Sequence, residues 1–165
     1  MDQHGNIEEI KVTPPEGANL ILGQSHFIKT VEDLYESLIT SSPGIKFGIA
    51  FNEASGDRLI RKDGNDEELV EMSAKIAEKI GAGHLFLILL KDSYPVNVLD
   101  RIRHVMEIVS IYVATANPVK VLVYDDGEEG RGIIGVIDGK KPLGVEKDTD
   151  KNKRHKFLRD IGYKR

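Results

Sequence analysis

The 165-residue chain contains no cysteine and no tryptophan, and its remaining aromatics are five Phe and five Tyr. Without thiols there is no disulfide framework, no cysteine-ligated zinc or iron–sulfur cluster and no thiolate nucleophile, which narrows the chemistry to oxygen and nitrogen groups. Glutamine is scarce too, with Gln3 and Gln24 alone, and together with the missing cysteine this points weakly to a heat-adapted source. Long apolar runs are absent. The longest, residues 85–90, is far below the roughly 18 residues of a membrane span, and the opening MDQHGNIEEI lacks a basic-then-apolar signal pattern. Positive charge is not in excess either: 23 Lys and Arg face 27 Asp and Glu, a net charge of -4. A protein that tracks nucleic-acid phosphates is usually basic, so neither nucleic acid nor membrane is an expected partner, and the cytoplasm is the expected compartment by elimination.

What is present is the composition of a folded domain, 40% hydrophobic and 30% charged. The expectation is one α/β domain over 1–165, with 1–6 as a flexible leader. Residues 7–12 and 19–22 read as strands separated by Pro14-Pro15-Glu16-Gly17. Thr30 can cap a helix whose stripe is Val31, Leu34, Tyr35, Leu38 and Ile39, and Ser41-Ser42-Pro43-Gly44 stops it. A strand over 45–51, a short one over 58–61 and a turn at Asp63-Gly64-Asn65 lead to Asp66. That residue caps a second helix, which Gly81 ends. Residues 85–90 read as a central strand buried on both faces, and Asn97 as the cap of a third helix. Strands at 110–114, 119–124 and 133–137 follow, with the glycine-rich turn 127–132 as the expected mobile loop. Phe157, Leu158 and Ile161 suggest a docked C-terminal helix. The β/α alternation predicts a three-layer sandwich with a mostly parallel or mixed sheet and helices on both faces.

In such sheets ligands sit beyond the C-terminal strand ends. Three segments occupy that position. In residues 23–30, Ser25, Lys29 and Thr30 at a helix start can hold a phosphate, or they form only a capped helix with an exposed lysine and a packed His26. In residues 52–56, Glu53 can bind a ribose diol, ligate Mg²⁺ or accept a proton, or the stretch is a solvated turn. In residues 114–118, Asn117 can read an adenine edge or initiate a turn. Residues 130–135 match GxGxxG, yet strand rather than helix follows, which removes the dinucleotide meaning; the loop can still cover phosphates, with Arg131 as a clamp. No GxxxxGK[ST] and no GxSxG occurs. His4, His26, His84, His104 and His155 show no HxH or HxxxH spacing, which leaves the metal ligands unknown.

The segments GQSHFIKTVEDLYE (23–36), PGIKFGIAFNEASGDRLIR (43–61), GNDEEL (64–69), AGHLFLILL (82–90), YPVNVL (94–99), ATANP (114–118), GRGIIGVIDG (130–139) and PLGVE (142–146) closely resemble the adenosine-specific kinase family. These are small, largely archaeal proteins. The resemblance covers about residue 7 to the end, in the family's order. It implies a compact three-layer fold, trimeric assembly, and binding of adenosine, AMP or another adenine nucleotide. The matched polar positions are Ser25, His26, Lys29, Thr30, Asn52 and Glu53, then Asn97, Thr115, Asn117, Arg131 and Gly132. For an ATP-dependent kinase with Mg²⁺, Lys29 and Arg131 are assigned to phosphate, Glu53 or His26 to the 5′-hydroxyl proton, and Asn52 and Asn117 to the nucleoside. The alternative is a non-catalytic adenine-nucleotide binder, a sensor or subunit.

Overall fold

The computed structural model describes residues 5–165, which form two sheets and four helices. Residues 1–4, including His4 and most of the expected leader, lie outside the described residues. Asn6 already belongs to the first strand.

The larger sheet is built around β5 (Leu85–Lys91), whose six residues from Leu85 to Leu90 are buried. Its side chains enter a core on each face, and each is worth roughly 1.5–3 kcal/mol of transfer free energy. β2 (Asn19–Ser25) and β3 (Lys46–Asn52) flank β5, with β4 (Ile60–Gly64) and β6 (Ile108–Thr115) at the edges, in the order β4-β3-β5-β2-β6. A second sheet of three strands has the order β1-β7-β8, from β1 (Asn6–Val12), β7 (Val119–Asp125) and β8 (Arg131–Asp138).

Every strand pair in both sheets is antiparallel, which overturns the mostly parallel or mixed sheet expected from the β/α alternation. The physical reason lies in one insertion. β2, the helix α1 (Thr30–Ile39) and β3 do form a crossover unit, and both strands run antiparallel to β5, so they are parallel to each other. β5 nevertheless occupies the place between them, and no two parallel strands touch. Periodicity along the chain reports the alternation of elements; it carries no information about which strand enters the gap.

On one face of the five-stranded sheet lie α1 and α3 (Pro95–Arg103), through Val31, Leu34, Leu38, Val98 and Ile102. The other face is shared by α2 (Glu67–Ile80) and the three-stranded sheet, through Leu69, Ala77, Ile80, Val121 and Val123. α2 begins as expected: the Asp66 side chain accepts from the Leu69 N–H at 3.1 Å. It ends at Gly81, whose φ of 67° suits the residue without a Cβ.

Three local expectations need correction. Thr30 is the first helical residue of α1 and leaves the first-turn amides uncapped, because its hydroxyl turns back to the Phe27 carbonyl. Asn97 lies inside α3, where its Oδ1 accepts from the Tyr94 N–H at 2.9 Å; Tyr94 holds the cap position and Pro95 the first turn. The C-terminal helix α4 (Asp148–Asp160) exists but is not docked, for none of its residues is buried.

Candidate functional site

β3 delivers Asn52 and Glu53 to the wall of a cavity of about 770 Å³, large enough for a small-molecule ligand. The loop Ala54–Leu59 forms one side, the turn Gly81-Ala82-Gly83 the floor, and Glu129, Gly130 and Arg131 the far side. Two smaller cavities adjoin it. One, of about 200 Å³, contains Gln24, Tyr112 and Gly132 and shares Arg131 with the main cavity. The other, of about 240 Å³, contains His26, Phe27, Phe51 and His84 and shares Glu53 and Ala54.

Asn52 is buried. Its Nδ2 donates to the Ala77 and Ala82 carbonyls, both at 3.0 Å, which ties the end of α2 to β3, while its Oδ1 has no partner. A buried acceptor left unpaired costs about 1–3 kcal/mol, so a donor on a ligand in this cavity has something to gain. Glu53 is fully engaged: Oε1 accepts from Arg61 Nε at 3.0 Å and Nη2 at 2.8 Å, and Oε2 from the Leu59 N–H at 2.8 Å. The Leu59 amide first, and then the Arg61 guanidinium, hold its carboxyl below the usual range. Arg131 reaches the Ile80 carbonyl at 3.1 Å, and pairs with Glu8 and, at 3.1 Å, with Asp125. At the mouth Arg58 pairs with Glu129 at 3.2 Å, bridging the two loops. Arg58 has a φ of 50°, an uncommon conformation for a side chain with a Cβ.

Asn52, Glu53 and Arg131 are therefore brought together, with Gly132 and His26 in the adjoining cavities. The other candidates are spent elsewhere. The Ser25 and Thr30 hydroxyls are buried 2.5 Å apart and reach the Glu107 and Phe27 carbonyls. Lys29 pairs with Asp33 and, at 2.9 Å, with Glu107, and these hydrogen bonds raise its pKa. With both hydroxyl hydrogens and the ammonium already placed, this helix start serves packing. Thr115 and Asn117 both donate to Asp138 Oδ1, at 2.9 and 3.1 Å, and fasten the end of β6 to the end of β8. Asn97 serves the start of α3.

Sequence reasoning missed Arg58, Asp57, Glu78, Glu129 and the Gly81–Gly83 floor. Gly81 was legible as a helix stop. The available signal was a second glycine two residues on, which leaves Ala82 as the one side chain of that floor. His84 stacks on Phe51 with ring centroids 5.9 Å apart. Its φ is 60°.

Fold and cavity together define an α/β protein built on two antiparallel sheets, with a polar cavity where β3 meets the end of α2. The family follows from comparison: residues 10–164 match the model described as adenosine specific kinase, and the chain belongs to that family. Its structure is similar to the crystal structure of the PH1918 protein from Pyrococcus horikoshii OT3, with a TM-score of 0.93 and 48% identity over 98% of this chain and 99% of that one. No curated protein matches the chain. No helix of the described residues is long and apolar enough to cross a membrane.

Proposed function

We propose that this protein is an adenosine kinase that holds the nucleoside in the cavity beyond β3 and forms AMP with ATP as donor. The observation that carries the reading is the unpartnered, buried Asn52 Oδ1 on the cavity wall. It needs a hydrogen-bond donor, which an adenine amine or a ribose hydroxyl supplies and a bare phosphate does not.

In the reaction the 5′-oxygen bonds to the γ-phosphorus, the bond from that phosphorus to the β–γ bridging oxygen breaks, and ADP leaves. The hydroxyl proton goes to a base. Glu53 is a weak candidate for that base because three donors hold it ionised; it orients the loop and, through it, the nucleoside. His26, in the adjoining cavity that shares Glu53, takes the proton in this reading. Phosphate charge falls to Arg58 and Arg131, with Arg58 exchanging Glu129 for the ligand. Among the described residues no three His, Asp or Glu side chains form a metal cage. Mg²⁺ is commonly carried by nucleotide phosphates and one or two carboxylates, and Asp57 and Glu129, two of the cavity's carboxylates, would hold it. Magnesium would neutralise phosphate charge there. A trimer belongs to the same reading and is supported by exposed Ile7, Tyr124, Ile134 and Ile137 on the three-stranded sheet.

One observation favours the non-catalytic alternative: Arg58, Arg61 and Arg131 are each paired with carboxylates already. A single experiment separates the readings. Purified protein is incubated with adenosine, ATP and Mg²⁺, and AMP is measured alongside the melting shift given by adenosine alone. The expected result is AMP formation that falls about 10²-fold in Arg58→Ala, the scale of losing one charge-stabilising group. Adenosine binding without AMP selects the binder, and absence of both overturns the assignment of the cavity.

A further inference from the structure

Residues 140–165 have no place in the fold just described. All are exposed except Leu158, which is half-buried, and α4 alone is 13 residues long. A helix of that length is marginal in water without a packed face. Yet the segment carries Leu143, Val145, Phe157, Ile161 and Tyr163, with Leu143 and Val145 at 107% and 92% exposure. Its ion pairs are internal, Arg154 with Glu146 and Lys156 with Asp160.

Charge identifies what covers it. The segment holds ten Lys and Arg against four Asp and Glu, a net +6, which leaves 13 against 23, a net -10, on residues 1–139. Part of that negative charge lies at the cavity mouth. Asp57 and Glu78 line it without an ion-pair partner among the described residues, and the β7–β8 turn beside it adds Asp125, Asp126, Glu128 and Glu129; the neighbouring cations are Arg58, Arg61 and Arg131, all paired. The groove between α1 and α3 offers fewer free carboxylates: Asp33 is paired with Lys29 and Asp100 lies 3.8 Å from His104, which leaves Glu36.

We infer that the basic C-terminal arm of one copy docks over the acidic cavity mouth of a second copy, and that the arm lysines add positive charge to that of Arg58 and Arg131, which carboxylates of their own chain partly neutralise. The docking stands on charge and exposure alone. Its effect on phosphate rests on the proposed function.

The test uses the native protein. Equal amounts of ordinary and ¹⁵N-labelled chains are mixed, treated with a zero-length carbodiimide, and digested for mass spectrometry. The expected products are mixed-isotope peptides joining an arm lysine (140, 141, 147, 151, 153, 156 or 164) to Asp57, Glu78, Glu128 or Glu129. Links within one isotope only mean the arm folds onto its own chain, and links to other carboxylates mean it docks elsewhere; either overturns the inference, as does sedimentation as a single chain. The full-length variant Leu143→Glu, Val145→Glu, Phe157→Glu should lose the cross-links between arm and cavity mouth and keep its fold by circular dichroism, because these side chains are exposed. In that variant AMP affinity should fall at least tenfold with adenosine affinity unchanged; equal losses would remove the charge-supplying role. If neither ligand binds native protein, the reading of the cavity fails while the cross-links still decide the docking.

Discussion

Glu53 shows how a residue type alone can mislead about chemistry. A carboxylate at a strand end suggests a base, but one that accepts three hydrogen bonds is stabilised in its charged form and gives up basicity. Its depressed folded pKa has a consequence for stability. The contribution is fully present above the unfolded value near 4.5 and is lost as pH falls through the lower folded value. Glu53→Gln should therefore melt below the parent at pH 7, with the gap closing on acidification below pH 4.5. A gap independent of pH would mean that shape, and not charge, matters at this position. Lys29 has the opposite sign: its raised pKa places its contribution below 10.5, to be lost as pH rises through the folded value.

At the scale of elements, the position of α2 against β3 is set by a missing side chain. A Cβ at Gly48 would overlap the backbone of Leu69 and Val70 in the first turns of the helix, and Ser73 bonds the Gly48 carbonyl at 3.1 Å. Gly48→Ala should cost about 3 kcal/mol in urea denaturation, at the upper end for overpacking, because the obstructing atoms are backbone. It should also disturb the cavity, since Asn52 is held by the last turn of the same helix and the loop that follows. A destabilisation below about 1 kcal/mol would show that the helix can lift away.

The elements themselves were largely legible. Buried stripes at helical spacing, the Asp66 cap and the Gly81 stop located α2, and the unbroken run in β5 announced burial on both faces. Strand direction was hidden, because β5 enters between two strands already joined by a helix. The site was legible in part for a related reason. Asn52 and Glu53 follow a hydrophobic strand and could be singled out, whereas Arg58, Glu78 and Glu129 meet them only through tertiary packing. Ser25, Thr30 and Lys29 have the right types at a helix start, but the buried carboxylate that occupies Lys29 comes from Glu107, 78 residues away.

For the whole molecule, one core joins the two sheets: Val121 and Val123 of β7 pack in the same cluster as Leu87 and Leu89 of β5. The sheets should therefore unfold together. Native-state hydrogen exchange is expected to give these four amides the same opening free energy, within about 0.5 kcal/mol, and all should approach the global value. Earlier exchange from β7 would show two separate cooperative units. The net charge of -4 also takes on a different meaning at this scale, because it is the sum of a strongly negative body and a positive arm. Such a polarity favours association in dilute salt and weakens it as the Debye length shrinks to about 3 Å at 1 M.

The late position of β5 in the chain also bears on synthesis. Until residues 85–91 have left the ribosome, β2 and β3 have no neighbour along their shared gap, and β3–β4 is the only pairing in that sheet available to the nascent protein. Two apolar strands wait open on either side of a slot during translation. The chain is thus most prone to self-association, or to capture by a chaperone, in the interval before its central strand emerges, and the slot closes in one step when it does.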